Sequence, residues 1–134
     1  VLTGGGGQDT LTGNAGADTF VIASASDSTS THYDIVTDFD ATADSFDLGL
    51  SIGDVIGTAS GNINSGTFDT DLGAAINDAL AGGNAALITA SGGNLASEVF
   101  LVVDVDGNHQ YDMGTDFVID VKNYTGTISS SNFI

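Results

Sequence analysis

The chain is expected to be mainly β with one short α-helix, and three observations lead there. Two glycine-rich nonamers stand near its start: Gly4-Gly5-Gly6-Gly7-Gln8-Asp9-Thr10-Leu11-Thr12 and Gly13-Asn14-Ala15-Gly16-Ala17-Asp18-Thr19-Phe20-Val21. Short apolar or alternating runs then recur, with Tyr33 to Asp40, Ser45 to Leu48, Ala85 to Thr89, Val99 to Val103 and Phe117 to Lys122 all reading as strands. One stretch alone, Leu72 to Leu80, carries helical periodicity.

In the nonamers Gly4 matches Gly13, Gly7 matches Gly16, Asp9 matches Asp18 and Leu11 matches Phe20. This is the G-G-x-G-x-D-x-U-x pattern of a parallel β-helix that binds calcium in its turns. Glycines let the backbone turn sharply and aim carbonyls inward. Aspartate adds a hard anionic oxygen, which suits a hard divalent cation. The apolar residue is the inward side chain of a very short strand. Val1-Leu2-Thr3 reads as the tail of a preceding nonamer with Leu2 in the apolar position, so the chain reads as the end of a longer array. Two nonamers make one coil, and Asp9 is therefore expected to stack over Asp27 in the degenerate turn Ile22 to Asp27. A flexible glycine linker is the competing reading, but a linker has no reason to place aspartate and an apolar residue in phase twice.

Further along, Ile35, Thr37 and Phe39 are expected on one face of a half-buried strand, with Asp34, Val36, Asp38 and Asp40 on an anionic outer edge. Gly53 to Thr67, rich in Gly, Ser and Asn, reads as loop. Leu72, Ala75, Ile76, Ala79 and Leu80 form the apolar stripe of the helix, with Asp69 or Thr70 to cap its start and Gly82-Gly83 to close its end. Val99 to Val103 and Phe117 to Val121 read as a long hairpin.

Composition narrows the function. Eighteen acids face one base, Lys122, for a net charge of -17. That balance argues against nucleic acid and anionic membranes, which need basic patches. It also implies strong self-repulsion unless cations are bound. The apolar fraction of 41% is too high for a disordered acidic tail. No cysteine is present, so there is neither a disulfide nor a thiolate metal site. No N-terminal signal peptide and no apolar run long enough to span a membrane is visible, so no membrane insertion is expected. No HExxH motif and no Gly-x-Ser-x-Gly elbow occurs, and the segment is expected not to be an enzyme; any catalytic domain would lie upstream.

The hairpin loop Asp104 to Asp116 leaves two readings open. Oxygen-bearing residues Asp104, Asp106, Asn108 and Asp112 have the spacing of four EF-hand ligands. Gly107 is fourth rather than sixth, however, and Thr115 stands where the bidentate glutamate belongs, so this is not an EF-hand. It is either a calcium loop on a hairpin or a solvated turn built on Asp106-Gly107. The density of carboxylates, Asp112 and Asp116 included, favours a metal.

With these residues in hand, the chain resembles the C-terminal end of RTX (repeats-in-toxin) proteins, which leave bacteria by type I secretion. The nonamers, Asp18-Thr19-Phe20-Val21, Ser26-Asp27-Ser28, Asp34 to Phe39 and Asp44-Ser45-Phe46-Asp47-Leu48 are similar to text that follows the repeats of serralysin-type proteases. Residues from about 70 onward resemble the bluetail-type C-terminal region. The resemblance implies a right-handed parallel β-roll that binds Ca²⁺, capped by a β-sandwich-like region, with the last coils at 1–30 and the cap and secretion-signal region at 31–134. It implies one ion held by the carbonyls of Gly5, Gly7, Ile22 and Ser24 and the carboxylates of Asp9 and Asp27. A second would take the carbonyls of Asn14 and Gly16 and the carboxylates of Asp18 and Asp38, with Asp34 behind. Asn14 replaces the usual second glycine, a mild departure because asparagine tolerates a left-handed backbone. Type I signals are C-terminal, and here Asn132 stands where serralysin-like signals carry an acid before Phe133-Ile134.

The expected function is a calcium-binding, calcium-induced folding module of a secreted RTX protein that serves export and extracellular folding of an upstream passenger. Its partners would be calcium ions and, in transit, the type I secretion machinery, with no nucleic acid. The alternative is calcium-dependent cell-surface attachment or self-assembly, as at an S-layer or adhesin terminus. Either way the location is extracellular or at the cell surface.

Overall fold

The computed structural model describes residues 1–134, the side chain of Thr58 excepted. Strands β1 (Leu2–Thr3), β3 (Thr19–Val21) and β5 (Ser45–Asp47) form a small parallel sheet. Strands β2 (Thr10–Leu11), β4 (Asp34–Val36), β6 (Val55–Asn62), β7 (Ala85–Gly92), β8 (Val99–Val103) and β9 (Phe117–Asp120) form a larger one in the order β2-β4-β9-β8-β7-β6. The first five strands alternate between the two sheets: glycine turns carry the chain across after β1 and β2, and the glycine-free segments 22–33 and 37–44 do so after β3 and β4. Each contributes one large inward residue, in order Leu2, Leu11, Phe20, Val36 and Phe46.

The larger sheet is buried on both faces. One face carries Ala85, Leu87, Leu101, Val103, Phe117 and Ile119 and packs against Phe20, Phe39 and Phe46 from the coils. The rings of Phe39 and Phe46 stack 4.3 Å apart. The opposite face carries Ala86, Ile88, Phe100, Val102 and Val118 and packs against Phe68, Leu72, Ile76 and Leu80 of the helix α1 (Phe68–Leu80). Strands covered on both sides read as continuous apolar runs, which is how β8 is legible in Val99 to Val103. The hairpin of β8 and β9 is antiparallel, with Leu101 opposite Ile119.

Three expectations need correction. Gly53 to Thr67 is not a loop throughout, since residues 55–62 form β6, which joins β7 in parallel through α1. Glycine there serves close packing: a methyl group at Gly61 would lie 2.7 Å from the Ala75 side chain of α1. The strand at 34–36 turns its faces the other way from the expected pattern, with Val36 in the core and Asp34 fully buried rather than on an outer edge. The helix begins at Phe68, which places Asp69 and Thr70 inside it. Asp71 closes the first turn by accepting from the Asn64 N–H (3.0 Å) and the Thr67 hydroxyl (2.7 Å).

At the C-terminus Phe133 packs on Phe46 and the Ile134 N–H donates to the Phe46 carbonyl at 3.0 Å. The end of the chain thus lies alongside β5.

Candidate metal centre

The first glycine turn runs from Gly4 to Asp9. Gly5 and Gly7 take positive φ (94° and 96°), a conformation that glycine adopts without steric cost. Strand register then decides what lies beside the turn. β1 meets β3 at the spacing of two nonamers, Leu2 opposite Phe20. β2 meets β4 further on, Thr10 opposite Ile35, because the chain between them includes two single-turn 3-10 helices at Ala25–Asp27 and Ser30–His32. The residue across from Asp9 in the strand ladder is therefore Asp34, where the simple period expected Asp27. The Asp9 N–H donates to Asp34 Oδ1 at 2.9 Å.

Asp27 still reaches the same turn. A methyl group at Gly6 would lie 3.8 Å from an Asp27 carboxylate oxygen, and one at Gly4 would lie 3.0 Å and 3.1 Å from Asp9 and Asp34 Oδ2. Asp9 and Asp34 thus meet at Gly4 and Asp27 lies against Gly6 of the same turn, while among the described residues three acids bring oxygens within 4.8 Å of one another only in the hairpin loop. Asp34 is 0% exposed, and its Oδ2 has no hydrogen-bond partner. Burial pushes its carboxyl up to about 6, opposed by the Asp9 N–H and reinforced by the charges of Asp9 and Asp27. A buried carboxylate oxygen without a partner is costly. Hard oxygen donors around a glycine turn fit a hard divalent cation.

The second turn, Gly13 to Asp18, follows the same plan. Asn14 has φ of 64° and Gly16 of 127°. The Asp18 N–H donates to Asp44 Oδ1 at 3.0 Å, and Asp44 Oδ2 accepts from the Asp40 N–H at 2.8 Å. A methyl group at Gly13 would lie 2.9 Å from Asp18 Oδ2. Asp38 reaches this turn from the other end, its two oxygens accepting from the N–H groups of Gly13 (2.9 Å) and Asn14 (2.8 Å). Asp44 is not among the ligands expected from the sequence. The signal for it was present: Asp44-Ser45-Phe46 repeats Asp18-Thr19-Phe20, as Asp34-Ile35-Val36 repeats Asp9-Thr10-Leu11. Of the expected carbonyl donors, Ser24 O accepts from the Asp27 N–H at 2.9 Å, and the Ile22 side chain is buried in the core.

The hairpin loop gathers Asp104, Asp106 and Asp116, each offering an oxygen within 4.8 Å of the others. Asp104 accepts from the N–H groups of Gly107 (2.7 Å) and His109 (2.8 Å), and Asp116 from those of Val105 (2.9 Å) and Asp112 (2.7 Å). Burial pushes Asp116 up to about 6. Asn108 donates its side-chain amide to Asp112 at 2.5 Å and to Asp106 at 3.2 Å. His109, an exposed residue, places Nδ1 3.0 Å from the Leu80 carbonyl at the end of α1.

The family model described as Peptidase M10 serralysin C terminal matches residues 2–124, and the chain belongs to that family. It is a C-terminal region of the serralysin type, as found in secreted RTX proteins. No curated protein matches the chain. No helix among the described residues is long and apolar enough to cross a membrane.

Proposed function

We propose that the chain is a calcium-folded C-terminal module of a type I secreted RTX protein, serving export and extracellular folding of an upstream passenger. The observation that carries this reading is the fully buried, unpartnered Oδ2 of Asp34 beside Asp9 and Asp27. Calcium would supply the positive charge that these carboxylates lack and a centre for hard oxygen ligands. Asp9, Asp27 and Asp34 would hold it, with the turn carbonyls of Gly5 and Gly7. Asp18 and Asp44 are the corresponding carboxylates at the second turn, while Asp38 ties down its N–H groups. The same reading assigns a further ion to Asp104, Asp106 and Asp116. These strand ladders are the last coils of a β-roll in this view, and the segment has no catalytic role.

Mutual repulsion of carboxylates keeps the chain open where calcium is scarce, a state suited to threading a secretion channel. Where calcium is plentiful, binding to the folded state alone stabilises it by roughly 2.7 kcal/mol per site at a concentration of ~100 Kd. A few such sites are comparable with the whole stability of a small domain, roughly 5–15 kcal/mol. Thermal unfolding followed by circular dichroism tests this. The melting temperature is expected to rise by 10 °C or more, as an order of magnitude, between EDTA and millimolar calcium. Equal melting in both solutions would end the reading.

A further inference from the structure

We propose that Ser28 is a positioning residue that couples the Asp9–Asp27–Asp34 cluster to the C-terminal hairpin; this rests on the cation reading above. Ser28 follows Asp27 directly and is 0% exposed. Its hydroxyl accepts from the Asp34 N–H at 2.8 Å and donates to the Val118 carbonyl at 2.5 Å. Its own carbonyl accepts from the Val118 N–H at 3.0 Å. One buried side chain therefore holds a carboxylate-bearing residue of the cluster on one side and β9 on the other.

The next two residues extend the junction. Thr29 Oγ1 accepts from the Gly114 N–H at 2.9 Å. The Ser30 N–H donates to the Tyr111 hydroxyl at 3.2 Å, and Ser30 Oγ donates to Asp69 at 2.8 Å. Tyr111 in turn donates to Asp69 at 2.7 Å. The tripeptide Ser28-Thr29-Ser30, directly after Asp27, thus fastens β9, the hairpin loop and α1 to one segment.

The segment that carries these bonds runs from Asp27 to Asp34, two acids whose charges repel each other. A cation at the cluster reverses the opposition, fixes both ends of 27–34 and so sets Ser28 against Val118. Coupling of this kind is reciprocal, so cutting the junction lets the turn and the hairpin titrate separately. Ser28→Ala removes an acceptor from a buried N–H and a donor from a buried carbonyl while leaving every carboxylate in place.

Hydrogen–deuterium exchange of the full chain during a calcium chloride titration tests this. In the wild type, amides of the Gly4–Asp9 turn and of β8 and β9 are expected to gain protection at one calcium midpoint. In Ser28→Ala the hairpin midpoint is expected to rise about tenfold, from the loss of buried hydrogen-bond partners, while the turn moves by less than about threefold. Midpoints that stay together in the variant, shifted or not, overturn the proposal, because uniform loss of stability moves both. If Ser28→Ala gains no protection at any calcium concentration, Thr29→Val decides by the same criterion. Wild-type exchange that ignores calcium sinks the cation reading itself and this inference with it, an outcome distinct from coupled midpoints in a calcium-responsive chain.

Discussion

Asp34 concentrates the energetic conflict of the molecule in one side chain. Its Oδ1 is satisfied by the Asp9 N–H, while Oδ2 is buried without a partner beside two further acids. Without a cation, the ionised form is penalised by desolvation and by repulsion alike. Asp34→Asn keeps an acceptor for the Asp9 N–H and removes the charge. The variant is therefore expected to be more stable than wild type in EDTA at pH 7, by on the order of 1–3 kcal/mol. It is expected to lose most of the stabilisation that calcium gives. A pair of urea titrations, with EDTA and with calcium, measures both effects. An unchanged calcium response in Asp34→Asn removes this residue from the cation site.

At the level of elements, the unit β6-α1-β7 depends on a close approach of helix to sheet. Gly61 faces Ala75, and a methyl group there would sit 2.7 Å from the alanine side chain, closer than two carbons pack. Gly61→Ala is expected to cost about 1–3 kcal/mol through overpacking. Ala75→Gly alone costs about 1 kcal/mol in helix propensity. In the double variant the clash is gone, so the two costs do not add, and a double-mutant cycle in urea reads the difference as a coupling energy. Additive costs would show that the helix has room to move. The same glycine explains why β6 was hard to read. The strand sequence Val55 to Asn62 contains Gly57, Ser60, Gly61 and Asn62, residues chosen for helix contact and edge position rather than for strand propensity. The helix and the hairpin of β8 and β9 were legible because burial leaves a periodic stripe or an apolar run. In the coils, the glycine turns and inward residues were legible but the rung spacing was not. The stretch from Asp27 to Tyr33 lengthens the coil, and only the repeated Asp-x-apolar triplets at 34–36 and 44–46 preserve the register.

The whole molecule carries eighteen acids against one lysine, and that lysine is committed. Lys122 Nζ lies 2.9 Å from the only glutamate, Glu98, beside the buried Asp120. Burial pushes Asp34, Asp116 and Asp120 each up from 3.8 to about 6; around Asp120 the charge of Glu98 adds to the rise and Lys122 opposes it. The sign of the pH dependence follows. Between about pH 4 and pH 6 the folded chain binds more protons than the unfolded chain, so stability in the absence of metal falls as pH rises through that window. Lower pH also reduces the overall repulsion, which acts in the same direction. In EDTA the chain is therefore expected to melt higher at pH 5 than at pH 7, by about 5 °C or more. Saturating calcium reverses the trend, because cations need ionised ligands and protons then compete with them. Melting curves at the two pH values, each with EDTA and with calcium, give four temperatures. Calcium-free stability that rises from pH 5 to pH 7 would mean that these buried carboxyls are already compensated inside the fold, and that the negative charge does not oppose its collapse.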